Sequence, residues 1–289
     1  MQKKILVIGG TGRLGQPVAR HLNSDGFQVR VMSRNIEKAR PLFDEAVEIV
    51  EGDVTDAASL EQALAGCQGV HISVMGDDDL LCVKNIVALV PKLQLERITY
   101  ISGSTVFEEN RWFPMIEQKL EAEKLIRECG VPYTIFCPTW PMEMLVGFAR
   151  GGQPSLLGKQ PAPIHWFAVD DLGRMVSAAY QREEVANKRL IIHGPEGIPM
   201  KEALEQYCRA FYPDGKPVSM MPIWLAKLLG IVTRNEMLKF AAGMMAYFDK
   251  VGELGDPTEA NDLLGAPTTT LADWIRQQQT ETMEAEKIQ

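Results

Sequence analysis

The stretch "VIGGTGRLGQPVARHL", residues 7 to 22, is the part of the chain that most constrains the fold. It continues the apolar run "KILVI" and leads into a segment with helical spacing, so Gly10-x-Gly12-x-x-Gly15 stands between a strand and a helix. Each glycine has a separate task there: a tight turn, close approach of backbone to a pyrophosphate, and contact of helix with strand. The unpaired N–H groups and dipole at the helix start favour an anion. A dinucleotide is therefore expected on Gly9, Gly10, Thr11, Gly12, Arg13, Leu14 and Gly15. An ordinary glycine-rich turn is the competing reading.

Apolar runs and helix-patterned segments then alternate as far as about residue 137: "QVRVMS", "VEIVEGD", "GVHISV", "RITYISG" and "YTIFCP" are the further strands. That order predicts βα units and a parallel sheet covered on both faces, an α/β doubly wound fold. The rhythm changes after Pro138, with a loop-like stretch rich in Gly and Pro, "ARGGQPSLLGKQPAP", and mostly helical segments from residue 201. Residues 1–150 are expected to form the dinucleotide-binding core and 151–289 a small, mostly helical C-terminal cap subdomain. A strand near 189–193 is expected to return to the core sheet.

The second strand ends in "VMSRN". An NAD site usually presents Asp or Glu to the ribose 2′-OH at this point, but here Arg34 stands instead, with Arg13 in the loop. Two guanidinium groups suit a 2′-phosphate, so NADP(H) is preferred over NAD(H); two solvated arginines are the alternative. Asp53 and Val54, in "EGDVTD", are placed for an adenine edge, although Asp53 could simply cap a turn. Ser73 and Val74, at the end of the fourth strand, join the expected cofactor contacts.

Net charge −8 argues against a nucleic-acid surface, which needs a basic stripe. Five dispersed cysteines without a CxxC pair fit a reducing compartment, and the four histidines lack metal-ligand spacing, so no metal is expected. Lys227 interrupts the best apolar stretch, which leaves no membrane span and points to a cytoplasmic protein.

"GGTGRLG", "VMSRN", "EGDVTD", "YISGS", "KLEAEKLIRECGVPYTIFCPTWPME", "VDDLGRM", "NDLLGAP" and "LADWI" follow one another in an order that resembles the atypical short-chain dehydrogenases/reductases, and within them the NmrA-like proteins. The resemblance implies NAD(P)H on a Rossmann sheet and a C-terminal cleft over the nicotinamide. Tyrosine-dependent members carry Tyr-x-x-x-Lys after the fifth strand and a serine at its end. Ser102 or Ser104 matches the serine and Lys119 the lysine, but Met115 stands in the tyrosine's place. A thioether donates no proton, so the usual acid–base step is absent. Lys119 is expected to hold the nicotinamide ribose and is the candidate catalytic residue; a salt-bridged outer helix face is the alternative. Pro138 and Thr139 match the stretch beside the nicotinamide. Met115, Trp140, Met142 and His165 are candidates for a substrate cleft.

Two functions remain open. One is a cofactor-binding regulator or redox sensor read by a protein partner. The other is an NADPH-dependent reductase of a quinone-like or other small acceptor, working through Lys119 without tyrosine.

Overall fold

The computed structural model describes residues 2–288. In chain order the elements are β1 (Lys4–Ile8), α1 (Gly15–Ser24), β2 (Gln28–Ser33), α2 (Ile36–Ala39), β3 (Glu48–Glu51), α3 (Ala57–Leu64), β4 (Gly69–Ile72), α4 (Asp78–Leu89), β5 (Arg97–Ile101), α5 (Pro114–Glu128) and β6 (Tyr133–Pro138). They continue with α6 (Met144–Phe148), β7 (Ser155–Leu157), β8 (Pro163–His165), α7 (Val169–Ala179), β9 (Lys188–Ile192), β10 (Gly197–Pro199), α8 (Met200–Phe211), β11 (Ser219–Met221), α9 (Ile223–Val232), α10 (Glu236–Val251), α11 (Thr258–Leu264) and α12 (Leu271–Ile288).

Seven strands form one parallel sheet in the order β3-β2-β1-β4-β5-β6-β9. The chain reverses direction across the sheet between β1 and β4, the topological switch point at which doubly wound folds take ligands. Buried β1 shows why the sheet needs helices on both faces. Leu6 and Ile8 pack with Leu60, Val83, Ile86 and Ile126 of α3, α4 and α5. Ile5 and Val7, equally buried, alternate onto the opposite face, which is the α/β Rossmann arrangement expected.

The chain separates into two compact units. The first comprises Met1–Pro138, Val169–Ile192 and Asp256–Ala266; the second comprises Thr139–Ala168, His193–Gly255 and Pro267–Gln289. The first unit thus ends at Pro138, short of residue 150, and takes back α7, β9 and α11. The reason lies in pairing: β9 completes the sheet beside β6, and α7 packs along α1.

The second unit has its own core, in which Leu145, Leu156, Trp166, Met200, Leu204 and Trp274 are buried. It also holds two small sheets, antiparallel β8–β10 and parallel β7–β11. The stretch "SLL", read as loop, is β7; its partner Ser219–Met221 lies far along the chain, and local composition carries no trace of such a pairing. Among the described residues, no helix is long and apolar enough to cross a membrane.

Candidate cofactor-binding site

The glycine loop closes on itself at the carboxyl end of β1. Gly12 N–H donates to the Gly9 carbonyl at 2.9 Å and Gln16 N–H to that of Gly12 at 3.0 Å. Gly9 has φ +76° and lies so near β4 that a Cβ would come within 2.1 Å of the Ser73 carbonyl oxygen. A Cβ at Gly15 would fall 2.3 Å from the Gly9 oxygen, whereas one at Gly10 would press into Val31 at 2.8 Å. These three are packing glycines.

Gly12 differs. A Cβ there would meet only the Gly9 oxygen, at 3.1 Å, and otherwise would point into open space above the loop. Thr11, Gly12 and Arg13 are exposed and Leu14 is half-buried. α2 and α3 are capped by Asn35 and Asp56, whose side chains accept from Lys38 N–H and Ala58 N–H. α1 has no side-chain cap and no acidic residue in its first turn. An uncapped helix start facing a space that only glycine leaves open fits a pyrophosphate.

At the end of β2, the Ser33 hydroxyl bonds both the N–H and the carbonyl of Asn35, and Arg34 lies exposed at the apex of this turn. Asp53 folds back on its own turn: Oδ1 accepts from Thr55 N–H at 2.9 Å and from the Thr55 hydroxyl at 2.8 Å. Those bonds, with a smaller attraction from Arg34, hold its carboxyl below the usual range. Val54 accepts through its carbonyl from Asn85 and packs against the core. Ser73 and Val74 are half-buried where β4 ends, and the Ser73 N–H donates to Ile8 O at 3.0 Å.

Met115 and Lys119 lie one turn apart on α5, both half-buried. The Lys119 ammonium is held closely by protein groups. Nζ is 3.0 Å from Asp79 Oδ2, 2.8 Å from the Ile101 carbonyl oxygen and 4.6 Å from the centre of the Tyr100 ring. Tyr100 donates its hydroxyl to the same Oδ2 at 2.6 Å, and burial together with the Asp79 charge pushes that phenol well up. Asp79 Oδ1 is buried without a hydrogen-bond partner among the described residues, so Lys119 is the cation that balances this carboxylate.

The serine is also engaged. Ser102 donates its hydroxyl to Glu123 Oε1 at 2.5 Å, and Glu123, fully buried on α5, pairs with Arg189 at 3.0 Å and with Arg127. Ser104 is buried beside it in sequence. Asp79, Glu123 and Arg189 escaped the sequence reading. The one available hint was the interval of four from Lys119 to Glu123, which puts both on the same helix face.

Pro138 ends β6 and is buried. In the second unit, Thr139 donates its hydroxyl to the His165 carbonyl at 2.5 Å. Trp140 is half-buried and packs edge-on against Trp166 and Phe248. Met142, expected beside a cleft, is 1% exposed and packs in this unit's core, and its N–H pairs with the Phe167 carbonyl. His165 is partly exposed and bonds Glu253 through Nδ1.

The NmrA-like family model matches residues 1–275. The chain belongs to the NmrA-like family. Among curated relatives, photosystem II assembly factor Ycf39 of Trieres chinensis is 25% identical over 244 residues, covering 78% of this chain and 74% of that protein. Among solved structures, the triphenylmethane reductase of Citrobacter sp., complexed with NADP(H), superposes with a TM-score of 0.75 at 21% identity over 95% of this chain and 99% of that one. The NADPH-dependent quinone oxidoreductase of Escherichia coli, complexed with NADPH, gives 0.75 at 21% identity over 94% and 99%. At such identities the two structures attest the shared fold.

Proposed function

We propose that this NmrA-like chain binds NADP(H) and acts as a cofactor-binding regulator or redox sensor. The Gly10-x-Gly12-x-x-Gly15 loop, open to a ligand at Gly12, and the start of α1 would hold the pyrophosphate, Arg13 and Arg34 the 2′-phosphate, and Asp53 with Val54 the adenine. Ser73, Val74 and Pro138 continue that row along the strand ends. When bound, the nicotinamide supplies a hydride or a hydride acceptor; what matters is the proton that would accompany it.

The observation that carries the reading is the state of Met115, Lys119 and Ser102, the residues that match the acid–base trio. The thioether has no proton to give, the Lys119 ammonium is bonded to Asp79 and Ile101, and the Ser102 hydroxyl is bonded to Glu123. Of the acid–base trio of tyrosine-dependent members, the tyrosine is thus replaced by an apolar group and the serine and lysine are internally paired. The similarity to an assembly factor agrees with a role in which binding itself is the output.

A second reading is favoured by the likeness to quinone and triphenylmethane reductases. An acceptor that takes its proton from water needs no tyrosine, so hydride transfer to a quinone-like molecule would be compatible with Met115.

Met115→Tyr separates the two. In a regulator the variant binds NADPH and remains inert towards quinones, enones and imines. In a reductase that lost only its acid, carbonyl turnover rises by about 10²- to 10⁴-fold. Should wild-type protein reduce a quinone and Lys119→Ala abolish the rate without abolishing binding, the lysine is catalytic and the regulator reading is wrong.

A further inference from the structure

Within the second unit, the end of β8, the turn after β9 and the residues following α10 bring together three side chains that no spacing in the sequence connects. His165 Nδ1 is 2.5 Å from Glu253 Oε1, and His193 Nδ1 is 3.4 Å from the same oxygen. The imidazoles stack with centroids 5.3 Å apart and an interplanar angle of 14°. All three ligand atoms lie within 4.8 Å of one another.

Two glycines permit this pairing. A Cβ at Gly194 would lie 1.6 Å from the Trp166 carbonyl oxygen, so only glycine lets the residue after His193 lie against the residue after His165. A Cβ at Gly197 would meet the His165 ring at 3.2 Å.

The bonding around the cluster calls for a cation. His193 Nε2 is 3.3 Å from the Leu254 carbonyl, which can only accept, so that nitrogen carries the hydrogen. In a neutral ring Nδ1 is then a bare lone pair facing a carboxylate oxygen, two acceptors 3.4 Å apart. A proton on Nδ1 or a metal ion between the two resolves the conflict. The other carboxylate oxygen, Oε2, accepts from the His165 backbone N–H at 2.7 Å, which turns Oε1 towards the two rings.

We propose that His165, His193 and Glu253 form a binding site for a divalent first-row transition-metal ion, best suited to Zn²⁺. Two imidazole nitrogens and one carboxylate are a three-ligand zinc set that leaves a fourth position for water or another ligand. Metal–ligand bonds of about 2.0–2.1 Å at tetrahedral angles separate the ligand atoms by about 3.4 Å. The His193–Glu253 pair already has that spacing, and the His165–Glu253 contact opens when the ion replaces its proton. The Leu254 carbonyl on His193 and the His165 N–H on Glu253 are the outer bonds that orient the ligands. His165, with its side chain 40% exposed against 10% and 13% for the others, marks the open side.

Untagged full-length protein, stripped with a chelator, is titrated with Co²⁺ and then Zn²⁺ and followed by the visible Co²⁺ bands and by metal retained after dialysis. One equivalent is expected, with Zn²⁺ displacing Co²⁺ and affinity rising with pH as protons leave the ligands. Loss of an outer partner alone weakens metal sites by about 10- to 100-fold, so Glu253→Gln and His193→Asn should each cost at least that much. No saturable binding by the wild type overturns the proposal, as does binding that both folded variants retain unchanged.

Discussion

Lys119 Nζ lies 3.0 Å from Asp79 Oδ2, and the Asp79 side chain is 3% exposed. An ammonium that balances a buried carboxylate in this way is part of the scaffold before any ligand arrives. Removing one partner of a buried pair leaves an uncompensated charge and costs about 3–5 kcal/mol. Lys119→Met should therefore lower stability in urea by about that amount, and the added Asp79→Asn change should restore part of it. NADPH binding should weaken in Lys119→Met. Unchanged stability would mean that the lysine is free for chemistry.

Gly12 and Gly15 predict opposite outcomes from one kind of change. Gly12→Val should keep the fold, because a Cβ there meets only the Gly9 oxygen, at 3.1 Å, and should abolish NADPH binding by filling the open space. Gly15→Val should damage the fold itself, because its Cβ would fall 2.3 Å from that oxygen. Circular dichroism and the fluorescence of bound NADPH distinguish the two; retained binding in Gly12→Val would put the phosphates elsewhere.

The exposed Arg13 and Arg34 set the expected cofactor preference. A charge-assisted hydrogen bond contributes about 1.5–3 kcal/mol, and about 1.4 kcal/mol is tenfold in affinity. NADPH should bind at least about tenfold more tightly than NADH, and Arg34→Ala should erase most of the difference. Calorimetry with both cofactors checks this, and equal affinities for the wild type would reject the arginine assignment.

His71 is fully buried in β4, bonded to the Thr99 hydroxyl at 2.8 Å, and burial pushes its imidazole down to about 3. The unfolded residue titrates at about 6.5. Between those values the unfolded chain binds a proton that the folded chain refuses, so stability is complete above the unfolded value and falls as pH drops. The slope approaches about 1.4 kcal/mol per pH unit. His21 works the other way, since its bond to Asp170 raises its pKa and its contribution is lost as pH rises. Unfolding free energies from urea titrations of the wild type and His71→Gln between about pH 6 and pH 4.5 should diverge by about 2 kcal/mol; parallel curves would refute the assignment.

Much of the fold was legible because its determinants are local. The glycine loop, the buried strands and α5 each lie within one continuous stretch, and periodicity and glycine spacing report on such stretches directly. Arg34 at the end of β2 could be read for the same reason, since its place follows from the strand before it.

What escaped depends on distant pairs. Asp79 with Lys119 and Glu123 with Arg189 are pairs between elements distant in the chain, and among Asp77, Asp78 and Asp79 the sequence does not single out the buried one. Met142 has the same character: its neighbours in sequence could equally have lined a cleft, and its burial depends on core residues from distant elements. The histidine pair is joined by a close approach at Gly194 that no local pattern announces.

The most direct test of the central claim follows reduced nicotinamide when wild-type protein and NADPH are mixed with a panel of quinones, enones, imines and triphenylmethane dyes. NADPH should bind, seen as enhanced fluorescence, and should be consumed no faster than in the protein-free blank with any acceptor. Catalysed consumption with even one of them, abolished by Gly12→Val, would contradict the regulator reading and make this chain a reductase.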